Sequence, residues 1–355
     1  MTNSNDSNWI IYGANGYTGE LIAREAIRQG LKPTLAGRNK AKVEALAQEL
    51  GLTYQAFGLD NVEAVSEHLK GFKLVMHCAG PFSATSKPMM EACIKAGAHY
   101  LDITGEISVF ELAQSLNNQA EKADIVLCPG VGFDVIPTDC VAAKLKEVLP
   151  DATHLALGFD SKSGLSQGTA KTSTEGMGEG GKIRKNGKIT TVPLAHYVRT
   201  IDFGDGQKSA MSIPWGDVST AFYTTGIPNI EVFVPAPPKM ICGARFLNLV
   251  RPILKLQFVQ NAIKSRISKS VVGPDEEVRA KLPTYVWGEA KNAHGQTKTV
   301  RIQTDNIYSL TVNGSLAVVS YLLKNTVKGG TYTPAKLMGY KLVTELPGSG
   351  PLVIS

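Results

Sequence analysis

No run of about 18 consecutive apolar residues occurs in the sequence, so no segment reads as a membrane-spanning helix. The first eight residues, MTNSNDSN, hold no apolar core. They read as a disordered tail without a secretion signal. None of the five cysteines (Cys78, Cys93, Cys128, Cys140 and Cys242) stands in a Cys-x-x-Cys pair, and their number is odd. Neither a disulfide framework nor a zinc site is expected, no metal is expected, and a reducing cytoplasm fits best. No segment interleaves dense Arg and Lys with aromatics, so nucleic acid is not an expected partner despite a net charge of +6. That mild excess suits anionic small ligands and could also suit a membrane surface. Two local absences carry more information. After the second expected strand, LAGRNKAK offers no carboxylate before Glu44. Between Glu231 and Asp275 there is no acidic residue at all.

What is present is a chain of 355 residues, 43% hydrophobic and 19% charged, enough for two globular domains. Up to residue 130, short apolar segments alternate with helical patterns. WIIYGA, KPTLAGR, LTYQAFGLD, FKLVMHCAG, AHYLDITG and DIVLCPG read as strands. YTGELIAREAIRQG, NKAKVEALAQELG, NVEAVSEHLKG, SKPMMEACIKAG and ISVFELAQSLNNQAEKA read as the helices between them. Such alternation predicts right-handed crossovers and a parallel sheet covered on both faces. From residue 131 the rhythm changes. PTDCVAAKLKEVLP reads as a helix and THLALGFDS as a strand; Asn186-Gly187 marks a hairpin. STAFYTTG and NIEVFVPAP read as strand-like, YVWGEAKNAHGQTKTVRIQT as another hairpin, and SLTVNGSLAVVSYLLKN as a helix. The expected fold is α/β: a Rossmann-type parallel sheet domain over 1–130, followed by a mixed α/β (α+β) domain over 131–355. The C-terminal segment is open to packing back on the first domain.

Gly13, Gly16 and Gly19 follow the first strand and open the first helix. Gly13 suits the tight turn, Gly16 lets a pyrophosphate reach the backbone, and Gly19 lets helix and strand pack closely. Asn15, Tyr17 and Thr18 complete this loop, whose helix N-terminus attracts phosphate. An NAD site needs a carboxylate at the end of strand two. Here Arg38 stands there, with Lys40 and Lys42 nearby, which favours the 2′-phosphate of NADP(H). Asp60 could approach the adenine edge or merely cap the next helix. Cys78, Ala79, Gly80 and Pro81 end strand four, where a nicotinamide ribose would lie against backbone.

Together, YGANGYTG, LAGR, CAGPF, AGAHYLDITGE and PGVGFDVIPTD resemble the saccharopine dehydrogenase-like oxidoreductases, and among them the trans-acting enoyl reductase group. The likeness continues in GTAKTS, PWGDVSTAFYTTGIPNIEVF and GPDEEVR. It implies an NADP-binding Rossmann domain, then a mixed domain for substrate binding or dimerisation. It also implies hydride transfer to or from a C=C or C=N bond, and lipid substrates in some members.

Hydride transfer asks the protein for one proton donor or acceptor. Asp102, Glu106 and Asp134 are the candidate acids, with Thr104 and Asp139 beside them; each has an alternative as a loop brace or helix cap. His77, inside an apolar strand, reads as a core histidine. GTAKTS, Gly168–Ser173, could offer Thr169, Thr172 and Ser173 to a polar substrate group. Residues 239–269 alternate cations with apolar stretches, a pattern that suits peripheral membrane contact, a greasy pocket or another subunit. The expected activity is that of an NADP(H)-dependent oxidoreductase, cytoplasmic or membrane-peripheral, acting on an apolar or lipid-linked substrate. The alternative is a non-catalytic NADP(H)-sensing or membrane-peripheral binding protein.

Overall fold

The computed structural model describes residues 8–161, 178–254, 259 and 282–355. Gly168–Ser173 and most of the later part of the basic stretch lie outside these described residues. Of the expected N-terminal tail only Asn8 is described, and its carbonyl accepts the Lys73 N–H at 2.8 Å. The chain divides into two compact units. One comprises Met1–Ile136 and Leu310–Met338, the other Pro137–Ser309 and Gly339–Ser355.

In the first unit, β1 (Trp9–Tyr12) is apolar and wholly buried, as a strand covered on both faces must be. Helix α1 (Tyr17–Arg28) turns Ile22, Ala23 and Ala26 inward. Then follow β2 (Thr34–Gly37), α2 (Lys40–Leu50), β3 (Tyr54–Ala56), α3 (Val62–Leu69), β4 (Leu74–His77), α4 (Phe82–Ala96) and β5 (His99–Asp102). Helices α5 (Ile107–Ser115) and α6 (Asn117–Lys122) lead into β6 (Val126–Cys128). The strands are all parallel in the order β3-β2-β1-β4-β5-β6, the doubly wound arrangement expected. Tyr12 pairs in register with Ala36 and His77, and His77 with Asp102. The loops carrying Gly13, Arg38, Cys78 and Thr104 therefore leave the sheet along one edge.

Three details differ from the sequence reading. The third strand is three residues long. The helix expected after β5 is two, broken at Leu116, whose N–H reaches both Leu112 and Ala113 carbonyls. A seventh strand, Gly330–Thr331, returns from far along the chain and pairs parallel with β6. The long helix Ile307–Lys324 offers the Leu323 carbonyl to Lys73 Nζ at 2.8 Å.

The second unit starts on α7 (Ile136–Val148) and holds a mixed sheet. Its strands are β7 (Ala152–Ser161), β8 (Gly181–Lys185), β9 (Lys188–Val192), β10 (Val198–Asp202), β11 (Gln207–Ser212), β12 (Asn229–Pro235), β13 (Thr284–Asn292), β14 (Thr297–Thr304) and the terminal Val353–Ile354. The main path runs β10-β11-β12-β7-β13-β14, closed by the terminal strand. Among the described residues only β12 and β7 pair in parallel in this sheet. The β8–β9 hairpin turns through Asn186 and Gly187, both at positive φ, as Asn-Gly turns require. STAFYTTG is not a strand: it lies in helix α8 (Asp217–Thr225). Its apolar and small residues Val218, Ala221 and Thr225 share one buried face, and Gly226 closes the helix in the left-handed conformation, which outweighs the β-leaning threonines and aromatics. Helix α9 (Pro238–Leu254) follows β12.

Candidate functional site

The glycine turn is sewn to the neighbouring strand. The N–H groups of Gly13 and Ala14 both donate to the Ala36 carbonyl, at 2.8 and 3.1 Å. Gly13 sits at φ +83°, and a Cβ there would stand 2.7 Å from Ala79 N. A Cβ on Gly19 would stand 2.4 Å from the Gly13 carbonyl oxygen, so α1 lies directly on the turn. Gly16 is different: its φ is ordinary, and a Cβ would meet only the Gly13 oxygen, at 3.2 Å. Gly16 is also the N-cap of α1, and among the described residues no side chain caps that helix. The helix begins with its N-terminal N–H groups and positive dipole end presented to an anion.

At the end of β2, a Cβ on Gly37 would fall 2.9 Å from Asn15 Oδ1 and 3.1 Å from Val43 Cγ2. Gly37 thus makes room for Asn15, a requirement that sequence spacing did not reveal. Arg38 is exposed. Burial pushes the Tyr12 phenol up to about 12, with Arg38 pulling against that shift and Asp60 adding to it, so both charges lie near this strand end. Asp60 does not cap α3. Asn61 does, accepting the Ala64 N–H at 3.0 Å, and Asp60 remains exposed.

Beyond β4, Cys78 N–H donates to the Tyr12 carbonyl at 2.7 Å, and Gly80-Pro81 is a cis peptide. The Thr85 hydroxyl donates to the Ala79 carbonyl at 2.7 Å and so accepts from His77 Nε2 at 3.0 Å. His77 is fully buried beside Tyr12, Phe82 and Tyr100, and burial lowers its pKa to about 3. It is a neutral core histidine that holds the loop through Thr85.

The three candidate acids have distinct surroundings. Asp102 is fully buried. Its Oδ1 accepts the N–H groups of Thr104 at 2.9 Å and Gly130 at 2.8 Å, and its Oδ2 the Tyr100 hydroxyl at 2.6 Å. Burial raises its pKa to about 6, opposed by these donors. This pattern ties the ends of β5 and β6 together. Glu106 lies across the N-terminus of α4: Oε1 accepts the Phe82 N–H at 3.0 Å and Oε2 the Ser83 N–H at 2.8 Å. Asp134 is half-buried, and desolvation pushes its carboxyl up to about 7. It lies against Gly105, where a Cβ would be 2.7 Å from Asp134 Oδ2.

The loop carrying Asp134 is fixed from several sides. Asp102 holds its start, Ser315 Oγ donates to the Val131 carbonyl at 3.1 Å, and Thr311 Oγ1 accepts the Phe133 N–H at 3.0 Å. Thr311 lies 178 residues from its partner, and no local pattern could have found it. Asp139 belongs to the second unit, buried in α7, and accepts the Thr224 hydroxyl at 2.5 Å. The structure thus brings Gly13 against Ala79, Asn15 against Gly37, and Asp134 against Gly105, all at one edge of one sheet. An uncapped helix N-terminus, a Cβ-free approach at Gly16 and an exposed Arg38 fit a dinucleotide bearing a 2′-phosphate.

Comparison with known proteins agrees. Residues 9–128 match the family model of the saccharopine dehydrogenase NADP binding domain. The human saccharopine dehydrogenase-like oxidoreductase is 26% identical over 216 residues, covering 52% of this chain and 50% of that protein. The trans-acting enoyl reductase of Mycobacterium bovis is 27% identical over 210 residues, covering 55% and 50%. The chain spans about half the length of the curated relatives it matches. Its fold is similar to that of saccharopine dehydrogenase (L-Glu forming) from Saccharomyces cerevisiae, with a TM-score of 0.66 and 12% identity over 99% of this chain and 100% of that one. Residues 9–128 therefore match a saccharopine dehydrogenase-type NADP-binding domain, with NADP(H) as the cofactor, and the chain resembles the oxidoreductases that carry this domain.

Proposed function

We propose that the protein is an NADP(H)-dependent oxidoreductase that moves a hydride to or from a C=C or C=N bond of an apolar or lipid-linked substrate. The observation that carries this reading is the edge just described, where the glycine turn, Arg38, the Cys78–Pro81 loop and a half-buried acid meet. The enoyl reductase name borne by a relative supports the C=C alternative. Bound there, NADPH would supply the hydride for the unsaturated carbon. Gly13, Gly16, Gly19 and the α1 N-terminus hold its pyrophosphate, with Asn15, Tyr17 and Thr18 lining the turn. Arg38 takes the 2′-phosphate and Asp60 lies toward the adenosine. Cys78, Ala79, Gly80 and Pro81 back the nicotinamide ribose. Asp134 gives the proton to the second atom of the reduced bond, since burial keeps its carboxyl protonated close to neutral pH. Asp102 acts as the brace that positions this loop.

NADPH oxidation with panels of enoyl thioesters and imines tests the reading. Tight NADPH binding without turnover of any member would favour the alternative, a sensor that binds NADP(H) without using it. Isothermal titration with both reduced cofactors tests Arg38, and tighter binding of NADH would overturn its role.

Peripheral membrane contact through 239–269 belongs to the same reading, and α9 is its main described part. Its inner face is anchored, with Ile241 buried against Ala195 and Met211, and Asn248 bonded to both N–H and carbonyl of Leu194. Its outer face leaves Phe246 62% and Leu249 76% exposed, with Lys239 and Arg245 exposed nearby. Flotation with anionic vesicles at low salt tests this, and absence of co-flotation would sink it.

A further inference from the structure

Glu106 was a candidate acid, yet both its carboxylate oxygens face backbone. We infer that Glu106 is a positioning residue, a strap that holds the nicotinamide side of the cofactor site in its binding shape. The inference rests on the NADP(H) reading above. Two independent geometries support it. Pro81 is the N-cap of α4 and has no side-chain donor or acceptor to close that helix. The Glu106 carboxylate does so instead from 23 and 24 residues away, with one oxygen on each of the first two N–H groups. A carboxylate at this end also meets the favourable end of the helix dipole.

The second geometry lies on Glu106's own loop. Glu106 N–H donates to Thr104 Oγ1 at 3.0 Å, and Thr104 N–H donates to Asp102 at 2.9 Å. Gly105 between them is the surface against which Asp134 packs. One side chain thus links the loop that backs the nicotinamide with the loop that supports the proton donor. The adenosine side has anchors of its own. The glycine turn is tied to Ala36, and α2 is capped by Asn39.

The strap therefore predicts a split between the two halves of the cofactor. The protein and its Glu106→Ala and Glu106→Gln variants are titrated with NADPH and, separately, with adenosine 2′,5′-bisphosphate, which carries only the adenosine half. Fluorescence of the bound nicotinamide is recorded in parallel. Glu106→Ala is expected to weaken NADPH about tenfold, as when the competent loop is populated a tenth of the time. It is expected to lower the fluorescence of the bound nicotinamide and leave the bisphosphate affinity unchanged. Glu106→Gln keeps one acceptor and should fall between. Equal losses for both ligands would overturn the inference, because they would report a general loss of structure. Unchanged NADPH affinity and fluorescence in both variants would overturn it too. If the wild-type chain binds bisphosphate and NADPH not at all, the cofactor reading itself fails, and the inference with it.

Discussion

The three glycines of the first turn look equivalent in sequence but should fail in different ways when replaced by alanine. At Gly19 the new methyl would stand 2.4 Å from the Gly13 carbonyl oxygen and 3.0 Å from Ala14 Cα, both backbone atoms that cannot step aside cheaply. Overpacking of this kind costs about 1–3 kcal/mol. At roughly 2–4 °C per kcal/mol for a unit of this size, Gly19→Ala should melt about 2–12 °C below wild type. Gly13→Ala adds a positive φ to a 2.7 Å approach on Ala79 N, and should cost at least as much. Gly16 has neither problem. Its φ is −83° and its single close neighbour lies at 3.2 Å, so Gly16→Ala should lose only about 1 kcal/mol, the price of a poorer N-cap. Yet its methyl would enter the space through which a pyrophosphate reaches the backbone. NADPH affinity should fall about tenfold or more, which is about 1.4 kcal/mol. Thermal melts with and without NADPH, joined to titration calorimetry, separate the two effects. The reasoning is refuted if Gly16→Ala binds NADPH as wild type does, or if Gly19→Ala keeps the wild-type melting temperature.

Arg38→Ala should weaken NADPH about tenfold while leaving NADH unchanged, because only the 2′-phosphate loses a partner; paired titrations read this directly. Asp102→Ala leaves two backbone donors and the Tyr100 hydroxyl unsatisfied in a dry site, and should cost about 3 kcal/mol or more in denaturant unfolding. Asp102→Asn should cost far less, since its oxygen can keep both N–H bonds while Tyr100 turns from donor to acceptor. The folded pKa of Asp134, about 7, lies above its ordinary value of 3.8, so its ionisation opposes folding as pH rises. Asp134→Asn should thus gain stability relative to wild type from about pH 4 up to about pH 7, with no further gain above. A flat difference between their melting curves across that range would contradict the burial argument. If Asp134 is the proton donor, the reduction rate should also fall as pH passes about 7, and Asp134→Asn should remove that inflection.

The parallel unit was readable because its signals are local. Strands such as Leu74–His77 are apolar up to their last residue and buried throughout, and Gly51 and Gly97 stop their helices where the pattern ends. The tight turn at Gly13 was readable for the same reason. What escaped notice depends on distant partners. Glu106 looked like an acid because its partners, the Phe82 and Ser83 N–H groups, are backbone and leave no mark in the sequence. Thr311 and Ser315 lie in a helix that reads as ordinary core, yet they hold the Asp134 loop. Helix α8 was misread because Thr and aromatic residues favour strands, while burial of one face and the Gly226 cap decided otherwise. Asp60 and Asn61 are both good caps, and sequence alone does not say which of the two adjacent residues takes the role.

The late strand Gly330–Thr331 has a consequence for synthesis. Gly330 N–H meets the Ile125 carbonyl at 2.8 Å, Tyr332 N–H meets Leu127 at 2.9 Å, and Thr331 is bonded to Asn117 and Ala113. The first unit is therefore not a contiguous stretch of gene. On the ribosome its opening 136 residues must wait, with the β6 edge uncovered, while Pro137–Ser309 of the second unit is made. An expression fragment cut at residue 130 should aggregate, and a fragment that joins 8–136 to 310–338 through a short linker should not.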